Sequence, residues 1–295
     1  MKPPRKPPRI GLASLSARLI FPMVSSVAIA LSGCGGTPAC SGGDEHAAVL
    51  TTFTFARQMP KGVSRGFDLD NHVSGPGDDL TCNHADLLDP DGKPGIDNAL
   101  SGLLPAIDAV ANGALDGIIQ GAVNNGMLLV GIDLKNVESL TNDDCVEMTF
   151  SHLSGVPTVG TDKLLDNWQT FDTARDIPES HVTGRIDNGV ITAGPFELAL
   201  PVRILDAKFT LHAHHAYVRS TVDGDGNMSG IFGGGIEVQE LLDQVETLNI
   251  GANLQKVLPG LLMNTADLAK NPDTGDCMQL STVMVFTAKP AFINP

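Results

Sequence analysis

The chain reads as an α+β protein, an antiparallel sheet or partial barrel with helices packed on one face or end. Three observations lead there. From residue 127 onward, β-branched runs recur with a period near two, the mark of half-buried strands. Two of the separators, Asp187-Asn188-Gly189 and Asp223-Gly224-Asp225-Gly226-Asn227, carry residues that accept the positive φ of tight hairpin turns. Segments with 3/4 apolar spacing stand outside this run, before it and near its end, which puts helices over the sheet and not between its strands.

In chain order, residues 49–55 are β-branched and aromatic and open the folded part as a strand. A turn-rich region follows from Pro60, and within residues 66–98 fall Asp68, Asp70, Asp78, Asp79, Asp86, Asp89, Asp91 and Asp97. Asp97 or Asn98 is placed to cap a helix through Leu100, Leu103, Leu104 and Ile107; Pro105 would kink it, or move its start to a Ser101 cap. Residues 115–123 form a second helix, stopped by Asn124-Asn125-Gly126. Strands are expected at 127–137, 145–153, 168–173, 181–186, 190–193, 196–200, 208–222 and 228–234. Amphipathic segments follow at 238–248 and 254–268, the second interrupted by Pro259, and residues 279–286 complete the sheet. With aromatics at only 4% of the chain, the core is expected to be Leu, Val, Ile and Ala.

The first residues have a different character. Lys2, Arg5, Lys6, Arg9 and Arg18 lead into an apolar run over 19–31 that is too short to span a bilayer as a helix, the layout of an export signal. It ends at Leu31-Ser32-Gly33-Cys34, which resembles the lipobox of bacterial lipoproteins. That resemblance implies a lipid on Cys34, cleavage before it, attachment to the membrane through the lipid, and residence in the cell envelope, at the outer membrane given Gly35. The organisation is then a signal over 1–33, a Gly/Ser/Pro tether over 34–48, and one domain over 49–295. From Cys34 on the chain keeps 14 of its 19 basic residues and all 34 acidic ones, a balance of −20 that repels nucleic acid.

In an oxidising compartment the four further cysteines pair, with three connectivities open. Asp144-Cys145 and Asp276-Cys277 both precede strand-like stretches, which favours Cys145 with Cys277 and leaves Cys40 for Cys82.

Four patterns bear on chemistry. Asp89-Pro90-Asp91-Gly92 and Gly95-Ile96-Asp97-Asn98 resemble the Asp-rich calcium loops of the thrombospondin type 3 and EF-hand kinds, although Leu87 and Asn98 stand where such a loop needs acids. An irregular calcium site would draw on Asp68, Asp70, Asp89, Asp91 and Asp97. His212 and His214 lie on one face of a strand, with His215 on the other, and two such imidazoles can share a zinc ion. Gly62-Val63-Ser64-Arg65-Gly66 matches the G-x-S-x-G of serine hydrolases, but it leads into turns and not a helix. Gly233-Gly234-Gly235 lacks the lysine of a phosphate loop. In the stretches Gly66-Phe67-Asp68-Leu69-Asp70 and Asp91-Gly92 to Asp97-Asn98 the chain resembles uncharacterised bacterial envelope lipoproteins, a likeness that carries no activity with it. The expectation is a lipid-anchored, non-enzymatic binding or structural module stiffened by calcium. The alternatives are a metal-dependent hydrolase using His212 and His214, and a carrier of an apolar ligand inside the sheet.

Overall fold

The computed structural model describes residues 40–295 except 111–112, 205–206 and 248–251. The signal over 1–33, the lipobox with Cys34 and the first part of the tether lie outside the described residues.

The elements are β1 (Asp44–Phe55), β2 (Leu87–Leu88), β3 (Pro94–Ile96), α1 (Leu100–Val110), α2 (Leu115–Asn124), β4 (Val130–Val137), β5 (Asp143–Ser154), β6 (Gln169–Thr173), β7 (Ser180–Asp187), β8 (Val190–Ile204), β9 (Ala207–Val222), β10 (Met228–Glu237), α3 (Val238–Thr247), α4 (Ala252–Thr265), β11 (Leu268–Lys270) and β12 (Cys277–Asn294). Eight of the strands close a ring in the order β1, β4, β5, β7, β8, β9, β10, β12, every neighbouring pair antiparallel. The ring closes where β12 returns to β1, with Phe53 opposite Phe286. This corrects the α+β expectation: the protein is mostly β, a closed antiparallel barrel with four helices added. Closure leaves the barrel no unpaired edge. It depends on pairing residues near 50 with residues near 286, a contact invisible to local periodicity.

The expected strands are all present, but β12 runs on to Asn294, the short β2, β3 and β11 are additional, and three further differences stand out. β1 starts at Asp44, inside the expected tether, because Asp44 to Val49 pair with β4. The segments 190–193 and 196–200 are one strand, β8, bulged at Gly194-Pro195. β6 stands outside the ring, parallel to the tail of β12 and joined to the end of β5.

Alternation sorts the side chains. On β7, Ser180, Gly184 and Ile186 are buried while His181, Thr183, Arg185 and Asp187 face out. An eight-stranded barrel has an interior just wide enough for side chains to fill. Here Phe53 stacks on Phe232 at 4.9 Å, Phe232 meets Phe286 at 5.9 Å, and Phe150 stacks on Phe196 at 5.3 Å. The core is therefore not purely aliphatic: the scarce phenylalanines are gathered at its centre among Leu134, Met148 and Leu198.

Both long excursions, residues 56–129 and 238–276, leave and rejoin the barrel at the end where β1 and β10 finish. Leu104 of α1, Leu258 and Leu262 of α4, and Val238 form a second cluster there with Leu280. Pro105 lies within α1 on its exposed side. The helix α2 lies on β1 and buries Ile119, Ala122 and Val123 in the barrel core.

The disulfides are Cys40–Cys145 and Cys82–Cys277, with Cα atoms 5.4 and 6.0 Å apart. This corrects the expected pairing of Cys145 with Cys277 and of Cys40 with Cys82. Cys40 precedes β1, and pairing of β1 with β4 and of β4 with β5 carries it to Cys145; Cys82, in the first excursion, meets the start of β12.

Candidate functional site

The first excursion is held to the barrel by buried polar groups. The Ala56 amide donates to the Val283 carbonyl, and Asn98, 2% exposed, donates through Nδ2 to the Ala56 carbonyl and to Ser64 Oγ. Ser64, fully buried, donates in turn to the Arg65 carbonyl. The serine of the G-x-S-x-G pattern is thus a structural brace.

Next to Asn98 the chain bends Asp97 inward. Its amide donates to the Phe67 carbonyl at 2.9 Å, and its Oδ2 accepts the Leu69 amide at 2.6 Å. That two-point attachment brings Asp68 and Asp70 alongside. Ligand oxygens of Asp68, Asp70 and Asp97 lie within 4.8 Å of one another, the group of three or more such residues found among the described residues. Asp68 and Asp70 are exposed; both accept the His72 amide, at 3.1 and 2.8 Å. Asp97 is 2% exposed, and burial first, then repulsion from Asp70, Asp267 and Asp86, pushes its carboxyl up to about 8. Burial, with Asp70 and Asp68 as further causes, also raises Asp86, whose Oδ2 accepts the Ser74 amide at 2.7 Å. A divalent cation here would replace that mutual repulsion with attraction.

Two of the five residues expected at a calcium site stand apart. Asp89 and Asp91 form the turn between β2 and β3, where Leu87 faces Ile96. The Asp89 Oδ1 accepts the amides of Asp91 and Lys93 at 2.9 and 2.7 Å, and Gly92 takes φ +85°. The same device closes β9 onto β10: Asp223 Oδ1 accepts the amides of Asp225 and Asn227, and Gly226 takes φ +83°. The stretch that resembles a cation loop forms a hairpin turn, its first aspartate accepting backbone amides.

Beside the three aspartates lies a cavity of about 290 Å³ whose acidic wall is Asp86, Asp97 and Asp267. Asp267, 5% exposed, accepts the Ser281 amide at 2.8 Å and the Ser281 hydroxyl at 2.5 Å; burial lifts it to about 6. No motif in the sequence marks this residue. It is one aspartate after a helix, and its role follows from packing.

The histidines do not converge on a shared centre. His212 pairs with Glu240 at 2.8 Å and His214 with Glu197 at 2.6 Å. His215 takes φ +50° at a bulge where the β9–β10 register shifts, so it stays exposed while Ala216 turns inward. This corrects the alternation expected for residues 212–215, since a bulge adds one outward residue. Comparison with family models, with curated proteins and with solved structures gives no match to this chain.

Proposed function

We propose that the protein is a lipid-anchored envelope module, a barrel without an enzymatic centre, whose first excursion is tied down by a calcium ion on Asp68, Asp70 and Asp97. The observation that carries this reading is the approach of the three carboxylates to within 4.8 Å in a chain with a large acidic excess. Calcium takes six to eight oxygens in a yielding geometry, so three carboxylates completed by water suit it better than magnesium, which demands a tighter octahedron. The ion would lock Phe67 to Asp70 against Asp97 and so stiffen the flank of the barrel. No observation favours a hydrolase at His212 and His214, each of which faces its own glutamate. The phenylalanine-filled interior likewise lends nothing to an apolar-ligand carrier.

The test compares thermal midpoints in calcium and magnesium at matched ionic strength. Calcium at a hundredfold excess over its dissociation constant should add about 2.7 kcal/mol, reversed by chelation. The double variant Asp68→Asn, Asp70→Asn should lose this response, whereas Asp89→Asn should keep it. Equal small shifts with both ions, or an unchanged response in the double variant, would refute the site.

A further inference from the structure

On the outer face of β7, β8 and β9 lies a groove of about 470 Å³, distinct from the aspartate cluster but bordered by Phe67, the residue before Asp68. Strand register builds one of its walls. Arg185 stands opposite Thr192, and Thr192 opposite Arg219, so the three side chains form one row across three strands. The outer two are separated by two strand spacings, about 10 Å between backbones. Among the described residues neither arginine has a carboxylate within ion-pair distance, although the chain carries a net charge of −15. Arg219 is nonetheless held in place. Its Nη2 donates to the Gly66 carbonyl at 3.2 Å, and its guanidinium lies 5.3 Å from the centre of the Phe67 ring.

Two glycines, Gly194 in the lining and Gly233 on β10 beneath Phe67, make room for the aromatic rings. A Cβ at Gly194 would come within 2.5 Å of Tyr217 Cδ1, and one at Gly233 within 3.2 Å of Phe67 Cδ2. Their absence lets both rings lie down on the strands, with centroids 5.9 Å apart and planes 26° from parallel. The Tyr217 hydroxyl has no hydrogen-bond partner among the described residues, and Thr183 lines the same groove. The one acid in the lining is Asp144.

We propose that this groove binds an acidic saccharide, its ring laid against Tyr217 and its carboxylate or sulfate held between Arg185 and Arg219. A sugar ring offers an apolar C–H face to an aromatic floor and hydroxyls at its rim. The hydroxyls of Thr183, Thr192 and Tyr217 and the carboxylate of Asp144 answer that rim. The arginine pair answers the oxyanion, whose paired oxygens the fork of a guanidinium matches better than an ammonium does. A shallow open groove suits one or two residues of a longer glycan better than a buried metabolite, which needs an enclosing pocket.

Tyr217 is the only tyrosine in the chain, so 3-fluorotyrosine labelling gives a single ¹⁹F resonance at the floor of the groove. The labelled protein is titrated with trigalacturonate, a sulfated chondroitin tetrasaccharide, maltotriose and inorganic sulfate. The expected result is a saturable shift with at least one of the two acidic saccharides, and which one identifies the oxyanion. In Arg185→Gln, at an exposed position, that affinity should fall about tenfold or more with the thermal midpoint unchanged. The proposal is overturned if neither acidic saccharide gives a saturable shift, if maltotriose or sulfate alone matches them, or if Arg185→Gln binds as tightly as the parent chain.

Discussion

Asp267 shows how burial converts an ordinary side chain into a pH-sensitive one. Its carboxyl is lifted from 3.8 to about 6 by desolvation, with Asp70 adding repulsion, against two hydrogen bonds from Ser281. A carboxyl raised in the folded state holds its proton longer there than in the unfolded chain. Its contribution to stability is therefore full below about pH 4, falls as pH rises through about 6, and is constant above that. Asp267→Asn removes this dependence while keeping an acceptor for the Ser281 amide. Relative to the parent, the variant should gain on the order of 3 kcal/mol between pH 4 and 7 in urea unfolding, the equivalent of a two-unit shift. A difference that does not change with pH would mean that this carboxyl does not titrate in that window.

At the scale of elements, the barrel strands were largely legible and their attachments were not. Asp187-Asn188-Gly189 forms the hairpin its residues call for, with Asn188 at φ +51° and Gly189 at +79°, because a two-residue turn is decided within the turn. At the acidic turn, local sequence does not tell an aspartate that serves backbone amides from one that serves a cation; the Asp89 carboxylate accepts amides two and four residues on. Asp97 was legible as an acid in a dense cluster. Its convergence with Asp68 and Asp70 depends on the Phe67–Asp97 bridge. Cys82–Cys277 staples the first excursion to the barrel and Cys40–Cys145 ties the segment before β1 to β5, with partners 195 and 105 residues apart. Loops this long give up to about 5 kcal/mol per bridge in the chain-entropy estimate. Peptide mapping of the oxidised protein should recover Cys40 linked to Cys145 and Cys82 linked to Cys277, and loss of the Cys82–Cys277 bridge in Cys82→Ser, Cys277→Ser should lower the denaturant midpoint. Recovery of Cys145 linked to Cys277 would contradict the fold.

For the molecule as a whole, the barrel is apolar within and polar without, the reverse of a barrel that sits in lipid. On β4, Val130, Ile132 and Leu134 are buried while Lys135 is exposed. No helix among the described residues is long and apolar enough to cross a membrane. On the proposed reading, attachment then falls to the lipid on Cys34. Cys34→Ser, once cut, should move from the membrane fraction to the soluble one, and continued sedimentation with membranes would disprove the anchor. Strand positions, the hairpins and the acidic character of residues 66–98 are set by neighbours a few positions apart, so chain order alone specified them. The closure of β12 on β1, the cysteine partners, the approach of Asp97 to Asp68 and Asp70, and the row of Arg185, Thr192 and Arg219 all join residues that are distant in the chain. They were decided by tertiary structure, because only strand pairing and burial bring such groups within reach of one another.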